Sequence, residues 1–215
     1  MKRVNVMIGA LALGALMSLN VMADDLPIGA PKAYPGKPEL GAPLAIPGTI
    51  PAIDYDVSPY GANNITFHYD GDAKKSDFRS GDDSIGLAAF GDDHVSTTGV
   101  PEKAGQVYVG WTQPGEWLKY TVKIAEAGTY VIGAKVAAGS MGATLTFSFG
   151  PYLTTGEITI PTTAGFQPGK EVYHVWETLD HLAEIKLPAG TYLMKVEIGK
   201  VAGLNLETFT FTKKP

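Results

Sequence analysis

The sequence predicts an all-β fold in which two sheets of antiparallel strands pack as a β-sandwich, preceded by a proline-rich extended segment. Three observations support this fold class. From residue 53 onward, apolar and polar side chains alternate with a period of two. No stretch has the 3.6-residue period of a long amphipathic helix. The 26 glycines and 15 prolines among 215 residues supply frequent turns between short runs.

Three runs show the alternation most clearly, and each is bounded by Gly, Pro or Asp-Gly. Alternation of this kind is typical of strands that are buried on one face only. It places Trp117 on the face opposite the apolar side chains of its run. The side chains predicted to face the core are Leu118, Tyr120, Val122 and Ile124, then Leu145, Phe147 and Phe149, then Tyr192, Met194, Val196 and Ile198.

A short motif occurs twice, as EAGTY at residues 126–130 and as PAGTY at residues 188–192. In both copies a glycine turns the chain and Thr-Tyr opens a strand. We interpret the two copies as matched hairpin entries within one sandwich.

The first 23 residues have the features of a secretory signal peptide. Lys2 and Arg3 precede an apolar run over residues 7–19, and Val21 and Ala23 provide small side chains before the predicted cleavage site. An apolar run of about 13 residues is too short to cross about 30 Å of hydrocarbon as a helix. We therefore predict a protein that is secreted or periplasmic, with no membrane span.

Residues 24–49 are predicted to form a linker. Six prolines recur there every few residues, a spacing that excludes helix and favours extended, polyproline-like chain. The alternative is an N-terminal arm packed along the surface of the module. The module itself is predicted to span residues 50–215.

Composition excludes several function classes. The formal net charge of −5 argues against nucleic acid as a partner. The chain has no cysteine, which removes disulfides, thiolate metal sites and cysteine nucleophiles. It also lacks the G-x-S-x-G, H-E-x-x-H and P-loop motifs. Four glutamates are candidates for a catalytic pair by location only, and no spacing singles out two of them: Glu116, Glu171, Glu197 and Glu207.

Two aromatic residues occur where strands give way to loops. Trp111 follows Gly110 and precedes a Gln-Pro-Gly turn, and Phe166 lies in the loop TTAGFQPG at residues 162–169. Loop-edge positions favour exposed rings over core rings. Exposed flat rings suit sugars, whose C–H faces stack on them while amides or carboxylates bind the hydroxyls.

The stretch VGWTQPGEWLKYTV, residues 109–122, resembles the signature of family 6 carbohydrate-binding modules. Other motifs follow in the family's order: the two AGT hairpin pieces, IPT at 160–162 leading to GFQ at 165–167, Trp176, and GLNLETF at 203–209. The resemblance extends over about residues 50–213. It implies a jelly-roll β-sandwich that binds polysaccharide or oligosaccharide without cleaving it.

The resemblance also implies roles for individual residues. Trp111 and Phe166 take the positions of the two aromatic rings that clamp a sugar in the loop-edge cleft, and Asn205 takes that of a hydrogen-bonding amide. Trp117 takes a position that in some members forms part of a second site on the concave face. Phe166 replaces the usual Trp and offers a smaller platform.

A structural calcium ion is the one cofactor that the resemblance raises. The family carries glutamates in its early strand, where this chain has Pro51 and Ile53. Glu207 takes the place of the closing Asp and is the one remaining candidate metal ligand. Because Ca²⁺ takes 6–8 oxygen ligands, we expect the chain to lack this ion.

These observations lead to a secreted, non-catalytic binder of a β-linked polysaccharide, with the linker reaching towards a cell-envelope or enzyme partner. The alternative is a structural or adhesive β-sandwich that has lost sugar binding and recognises a protein or envelope partner. A small glycan-active enzyme is a third reading. Production of oligosaccharides during prolonged incubation with a bound polysaccharide would distinguish it from the first.

Overall fold

The computed structural model describes residues 42–56, 66–68, 108–110, 112–163 and 175–215. Helix in this part of the chain is limited to a 3-10 turn at Ala52–Asp54, and no helix found there is long and apolar enough to cross a membrane. The strands are β1 (Leu44–Ile46), β2 (Gly48–Pro51), β3 (Phe67–His68), β4 (Trp117–Ile124), β5 (Gly128–Ala138), β6 (Thr144–Phe149), β7 (Leu153–Thr159), β8 (Glu177–Leu187), β9 (Gly190–Gly199) and β10 (Leu204–Lys213).

The strands form two sheets. The first has the order β1-β4-β9-β6-β7, with β3 also pairing with β4, and the second has the order β2-β10-β5-β8. Pairing between the described strands is antiparallel except for β1, which runs parallel to β4. The predicted all-β, two-sheet fold is confirmed.

The alternating runs bury the side chains that the period of two predicts. In β4, β6 and β9 the predicted core residues are nearly all fully buried, and Tyr192, at the start of β9, is partly buried. Aromatic rings join the two sheets: Phe147 of β6 meets Phe209 and Phe211 of β10 edge-on, at centroid distances of 5.3 and 6.1 Å. Edge-to-face packing of this kind adds to the burial of the rings themselves.

The repeated motif marks crossings between the sheets. β4 leaves the first sheet at Ile124 and β5 enters the second at Gly128, while β8 leaves the second at Leu187 and β9 enters the first at Gly190. In the ladders Gly190 pairs with Ile124, and Gly128 pairs with Leu187. The interpretation as hairpin entries was therefore wrong, because alternation shows where a strand begins but not which sheet it joins.

The sandwich begins before residue 50. β1 pairs with the end of β4, from Leu44 opposite Val122 to Ile46 opposite Ile124, and β2 pairs with β10. Ile46 is fully buried. Residues 44–49, which we assigned to the linker, therefore belong to the sheets. The signal peptide and residues 24–41 of the linker lie outside the described residues and stay predictions.

One end of the sandwich, here called the loop pole, comprises residues 108–110, 112–116, 138–143, 160–163 and 199–205. β5 ends there at Ala138, which pairs with Leu204 at the start of β10. After β7, the Ile160 N–H donates to the Ala143 carbonyl and the Thr163 N–H donates to the Ala138 carbonyl. These bonds lead the chain from the first sheet to the second at this end.

Candidate functional site

Trp111 itself lies outside the described residues, but the chain on both sides of it is fixed to the start of β10. On one side, Val109 and Leu206 exchange two backbone hydrogen bonds of 2.8 Å. On the other side, the Gly203 N–H donates to the Thr112 carbonyl at 2.9 Å. Val109 thus forms an isolated antiparallel bridge with Leu206, and Thr112 lies beside Gly203 just before β10.

The side chain of Thr112 strengthens this attachment. Thr112 is fully buried. Its hydroxyl donates to the Leu204 carbonyl at 2.7 Å and accepts the Leu204 N–H at 3.0 Å. A hydroxyl can donate and accept at once, so this side chain replaces both bonds that a neighbouring strand would make.

Asn205 lies in β10 at the loop pole and is 5% exposed. A Cβ on Gly110 would come within 3.1 Å of Oδ1 of Asn205 and 2.9 Å of a ring carbon of Tyr108. The distance to Tyr108 is shorter than real Cβ contacts show and the distance to Asn205 is tighter than most, so a side chain at position 110 would have to move its neighbours. The amide of Asn205 therefore packs against the backbone next to residue 111.

Phe166 also lies outside the described residues, in a loop whose start is described. Thr163 is 6% exposed, and its N–H donates to the Ala138 carbonyl at 3.1 Å. Its hydroxyl accepts the Ala138 N–H at 2.9 Å. The start of this loop is therefore attached to Ala138, the residue that pairs with Leu204.

Where the chain returns from this loop, Trp176 packs beside the same region. Its ring meets Tyr108 edge-on, with 5.0 Å between centroids. Tyr108 is 1% exposed and also lies against Gly110. Sequence reasoning gave Tyr108 no role, although its position three residues before Trp111 in an aromatic-rich stretch was a signal.

A buried carboxylate holds the turn that follows Trp111. Glu116 is 1% exposed, and its Oε2 accepts the Gln113 N–H at 2.8 Å. Backbone bonds of 2.8 Å join Gly115 and Glu116 to Ile198 at the end of β9. Residues 112–116 are thus attached to both sheets.

Trp117 lies apart from Asn205, on the outer face of the first sheet. The ring of His68 stacks against it with 6.0 Å between centroids and 29° between planes. The ammonium of Lys119 lies 4.5 Å from the centroid of the Trp117 ring. Burial, and then repulsion from Lys195, lower the pKa of Lys119, and Asp56 opposes the shift.

Glu207 is bound by a lysine. Lys135 Nζ lies 2.9 Å from Oε1 and 2.7 Å from Oε2 of Glu207. The residues at the other two family positions are Pro51 and Ile53, and Ile53 is buried in the core. The described part of the chain has no group of three or more His, Cys, Asp or Glu side chains that could hold a metal. The residues present do not fit a calcium site.

We expect the stability of the protein to be independent of calcium. An ion present at 100 times its Kd would add about 2.7 kcal/mol to the stability of a folded state that binds it. Because the residues present do not form a calcium site, excess Ca²⁺ and EDTA should give the same Tm.

Lys135→Met should lower the free energy of unfolding by about 1.5–3 kcal/mol, because it leaves the half-buried Glu207 carboxylate without its charged donor. Thermal unfolding measures both effects.

The control variant is Lys214→Met, which removes the exposed pair that Lys214 forms with Glu184. Exposed pairs contribute about 0–1 kcal/mol, so this change should be small. A rise of several degrees in Tm on adding Ca²⁺ would contradict the prediction.

The profile of the family described as carbohydrate binding module (family 6) matches residues 89–213. Among proteins with curated descriptions, none matches the chain. Among solved structures, the chain is similar to the CBM6cm-2 module of Cellvibrio mixtus lichenase 5A, in complex with cellotriose, at 24% identity and a TM-score of 0.50. That similarity covers 79% of this chain and 98% of the module.

Two further structures have the same fold. The C-terminal CBM6 of LamC from Zobellia galactanivorans is 20% identical with a TM-score of 0.50, over 77% of this chain and 98% of that module. CsCBM6-3 from Clostridium stercorarium, in complex with cellobiose, is 17% identical with a TM-score of 0.50, over 81% of this chain and 99% of that one. The family profile covers more than half of the sequence, and the chain therefore belongs to family 6 of the carbohydrate binding modules.

Proposed function

We propose that this protein binds a β-linked polysaccharide or oligosaccharide, without cleaving it, in a cleft at the loop pole. Trp111 and Phe166 stack on the two faces of one sugar ring. Asn205 hydrogen-bonds its hydroxyls, since an amide can donate and accept. Stacking on aromatic rings with a few placed polar groups is how a concave site orients such a ligand.

One observation carries this proposal: the described residues next to each loop are attached beside Asn205. Thr112, which follows Trp111, is attached to Leu204, and Thr163, three residues before Phe166, is attached to Ala138. Leu204 and Ala138 are partners in one ladder. Asn205 is the next residue of β10. Its amide packs against Gly110, the residue that precedes Trp111 in the chain.

The carboxylates support a binding role over a catalytic one. Glu116 is buried and accepts the Gln113 N–H. Glu197 is paired with Lys195, and Glu207 with Lys135. Glu171 lies outside the described residues. A glycosidase needs two carboxylates facing one cleft, whereas each of these three is engaged by a donor of the protein itself.

Gly110→Ala tests the placement of Asn205. The added methyl group comes within 2.9 Å of the Tyr108 ring and 3.1 Å of Oδ1 of Asn205, so both side chains must shift. We expect binding to weaken about tenfold, the equivalent of one misplaced hydrogen bond. Titration calorimetry with a bound oligosaccharide measures this change. Unchanged affinity would remove Asn205 from the site.

Trp117 is proposed as a second, weaker contact on the outer face of the first sheet. A sugar stacking there has to compete with Lys119 and His68 for the ring. Trp117→Ala should therefore leave binding at the loop pole intact. Calorimetric titration of this variant should lose at most a weak additional binding event.

The second candidate function is a structural or adhesive module that binds a protein or envelope partner. The smaller ring of Phe166 and the occupied surroundings of Trp117 favour it. For either function we propose export to the periplasm or medium. The proline-rich segment then connects the sandwich to an envelope or enzyme partner and raises its effective concentration there.

Affinity electrophoresis separates the two functions. The protein is run through gels containing xylan, mixed-linkage β-glucan, laminarin, a cellulose derivative, agarose or alginate. Sugar binding predicts retardation in at least one gel, reversed by the free oligosaccharide. Normal migration in every gel would favour the adhesive role.

A further inference from the structure

The described part of the chain contains two methionines, and their surroundings are opposite. Met141 is 77% exposed, whereas Met194 is 0% exposed and belongs to the core. The other four methionines of the sequence lie within the first 23 residues, at positions 1, 7, 17 and 22. A reagent in the solvent therefore meets one of the two described thioethers at the surface and is kept from the other.

Met141 lies on the turn that joins β5 to β6 at the loop pole. The turn emerges between Ala138 and Ala143, which are both buried. Backbone hydrogen bonds hold its two ends, since the Thr163 N–H donates to the Ala138 carbonyl and the Ile160 N–H donates to the Ala143 carbonyl. The turn is thus anchored on both sides, while the Met141 side chain between them reaches into solvent.

Met194 lies on the inner face of the first sheet. In the ladders of β9 its partners are Tyr120 on β4 and Phe149 on β6, and all three side chains are buried. A reagent reaches this sulfur only when the sandwich opens. Folded molecules of an ordinary small domain outnumber unfolded ones by about 10³–10⁸ to one, so the sulfur is rarely accessible.

We propose that Met141 is an oxidation site, at which a hydroperoxide converts the thioether to a sulfoxide while the protein stays folded. The sulfur attacks one oxygen of hydrogen peroxide, so that an S–O bond forms as the O–O bond breaks. Sulfur loses two electrons, and the proton of the transferred oxygen passes to the departing hydroxide, which leaves as water. The product is a polar side chain in place of an apolar one.

Oxidation at this position changes the surface of the loop pole but not the fold. Because the Met141 side chain is exposed, the added oxygen is solvated and displaces no core side chain. The turn also has open space beside it, since a Cβ on Gly142 would have nothing within 4 Å. The inference needs no bound ligand and is independent of the proposed function.

The test treats the full chain with dilute hydrogen peroxide under native conditions and follows each methionine by peptide mass spectrometry. Trypsin releases Met141 within residues 136–170 and Met194 within residues 187–195, and neither peptide contains cysteine or tryptophan. Met141 should gain one oxygen atom at least about 100-fold faster than Met194. In guanidinium chloride the two rates should become similar, because unfolding exposes both sulfurs.

Two leucine variants serve as matched controls, since Leu has nearly the volume of Met and cannot be oxidised in this way. Met141→Leu should leave the peptide of residues 136–170 without added oxygen. Met194→Leu should leave the rate of oxidation at Met141 unchanged. Wild-type protein oxidised at Met141 alone should keep its Tm to within about 2 °C, as a surface change does.

Three results would overturn the inference. Equal rates for the two methionines under native conditions would mean that exposure does not select Met141. Oxidation of Met141 in denaturant only would mean that its sulfur is covered in the folded protein. A large fall in Tm after oxidation at Met141 alone would mean that the fold does not tolerate the sulfoxide. None of these results bears on glycan binding, so the proposed function would stand or fall separately.

Discussion

Replacing Trp111 with alanine should weaken glycan binding about 30-fold or more, while the protein stays folded. A large aromatic ring at the centre of a binding site contributes about 2 kcal/mol or more, which corresponds to this factor. The loss should be confined to affinity, because the backbone bonds of Val109 and Thr112 to β10 do not involve the indole. Titration calorimetry gives the affinity, and thermal unfolding gives the Tm.

The matched control is Trp117→Ala. It removes an indole from the same stretch of sequence but from the outer face of the first sheet, where the ring packs on His68. If Trp117→Ala lost binding and Trp111→Ala kept it, the site would lie on the sheet face and not at the loop pole.

The second large effect is expected in the core. Phe147→Ala should lower the free energy of unfolding by about 3–5 kcal/mol. Phe147 is fully buried, and its ring meets rings of the opposite sheet at 5.3 and 6.1 Å. For a protein of this size the Tm should fall by roughly 6–20 °C. Calorimetry or circular dichroism during heating measures this change.

Thr146→Ala is the neighbouring control, since Thr146 lies on the outer face of the same strand. Surface changes of this kind stay within about 0.5 kcal/mol. A cost below about 1 kcal/mol for Phe147→Ala would contradict the packing of the two sheets through this ring.

The strands and the core could be predicted from the sequence because burial on one face imposes a period of two. Leu118, Tyr120 and Phe147 occupy the core that this period indicates. The pairing of strands could not be predicted this way. β1 joins the first sheet through Leu44 opposite Val122, a partner distant in sequence. For the same reason the sequence led us to interpret the two AGT motifs as hairpins, although each connects a strand of one sheet to a strand of the other.

Part of the candidate site could likewise be predicted from the sequence, and part could not. Aromatic residues at loop edges and the family motif pointed to Trp111, Phe166 and Asn205 from sequence alone. The hydroxyl bonds of Thr112 to Leu204 join residues 92 positions apart, so no local sequence pattern predicts them. The ion pair that binds Glu207 spans 72 positions. Such contacts follow from tertiary packing and not from any short motif.

The most direct test of the central claim is an NMR titration of the isotope-labelled protein with the oligosaccharide that it binds. A sugar at the loop pole should shift the amides of Gly110, Thr112, Thr163 and Asn205 more than any others. Amides of β4 and β9 on the first sheet, such as Lys119 and Lys195, should move little. Shifts concentrated on that sheet, with those of the loop pole unchanged, would contradict the account.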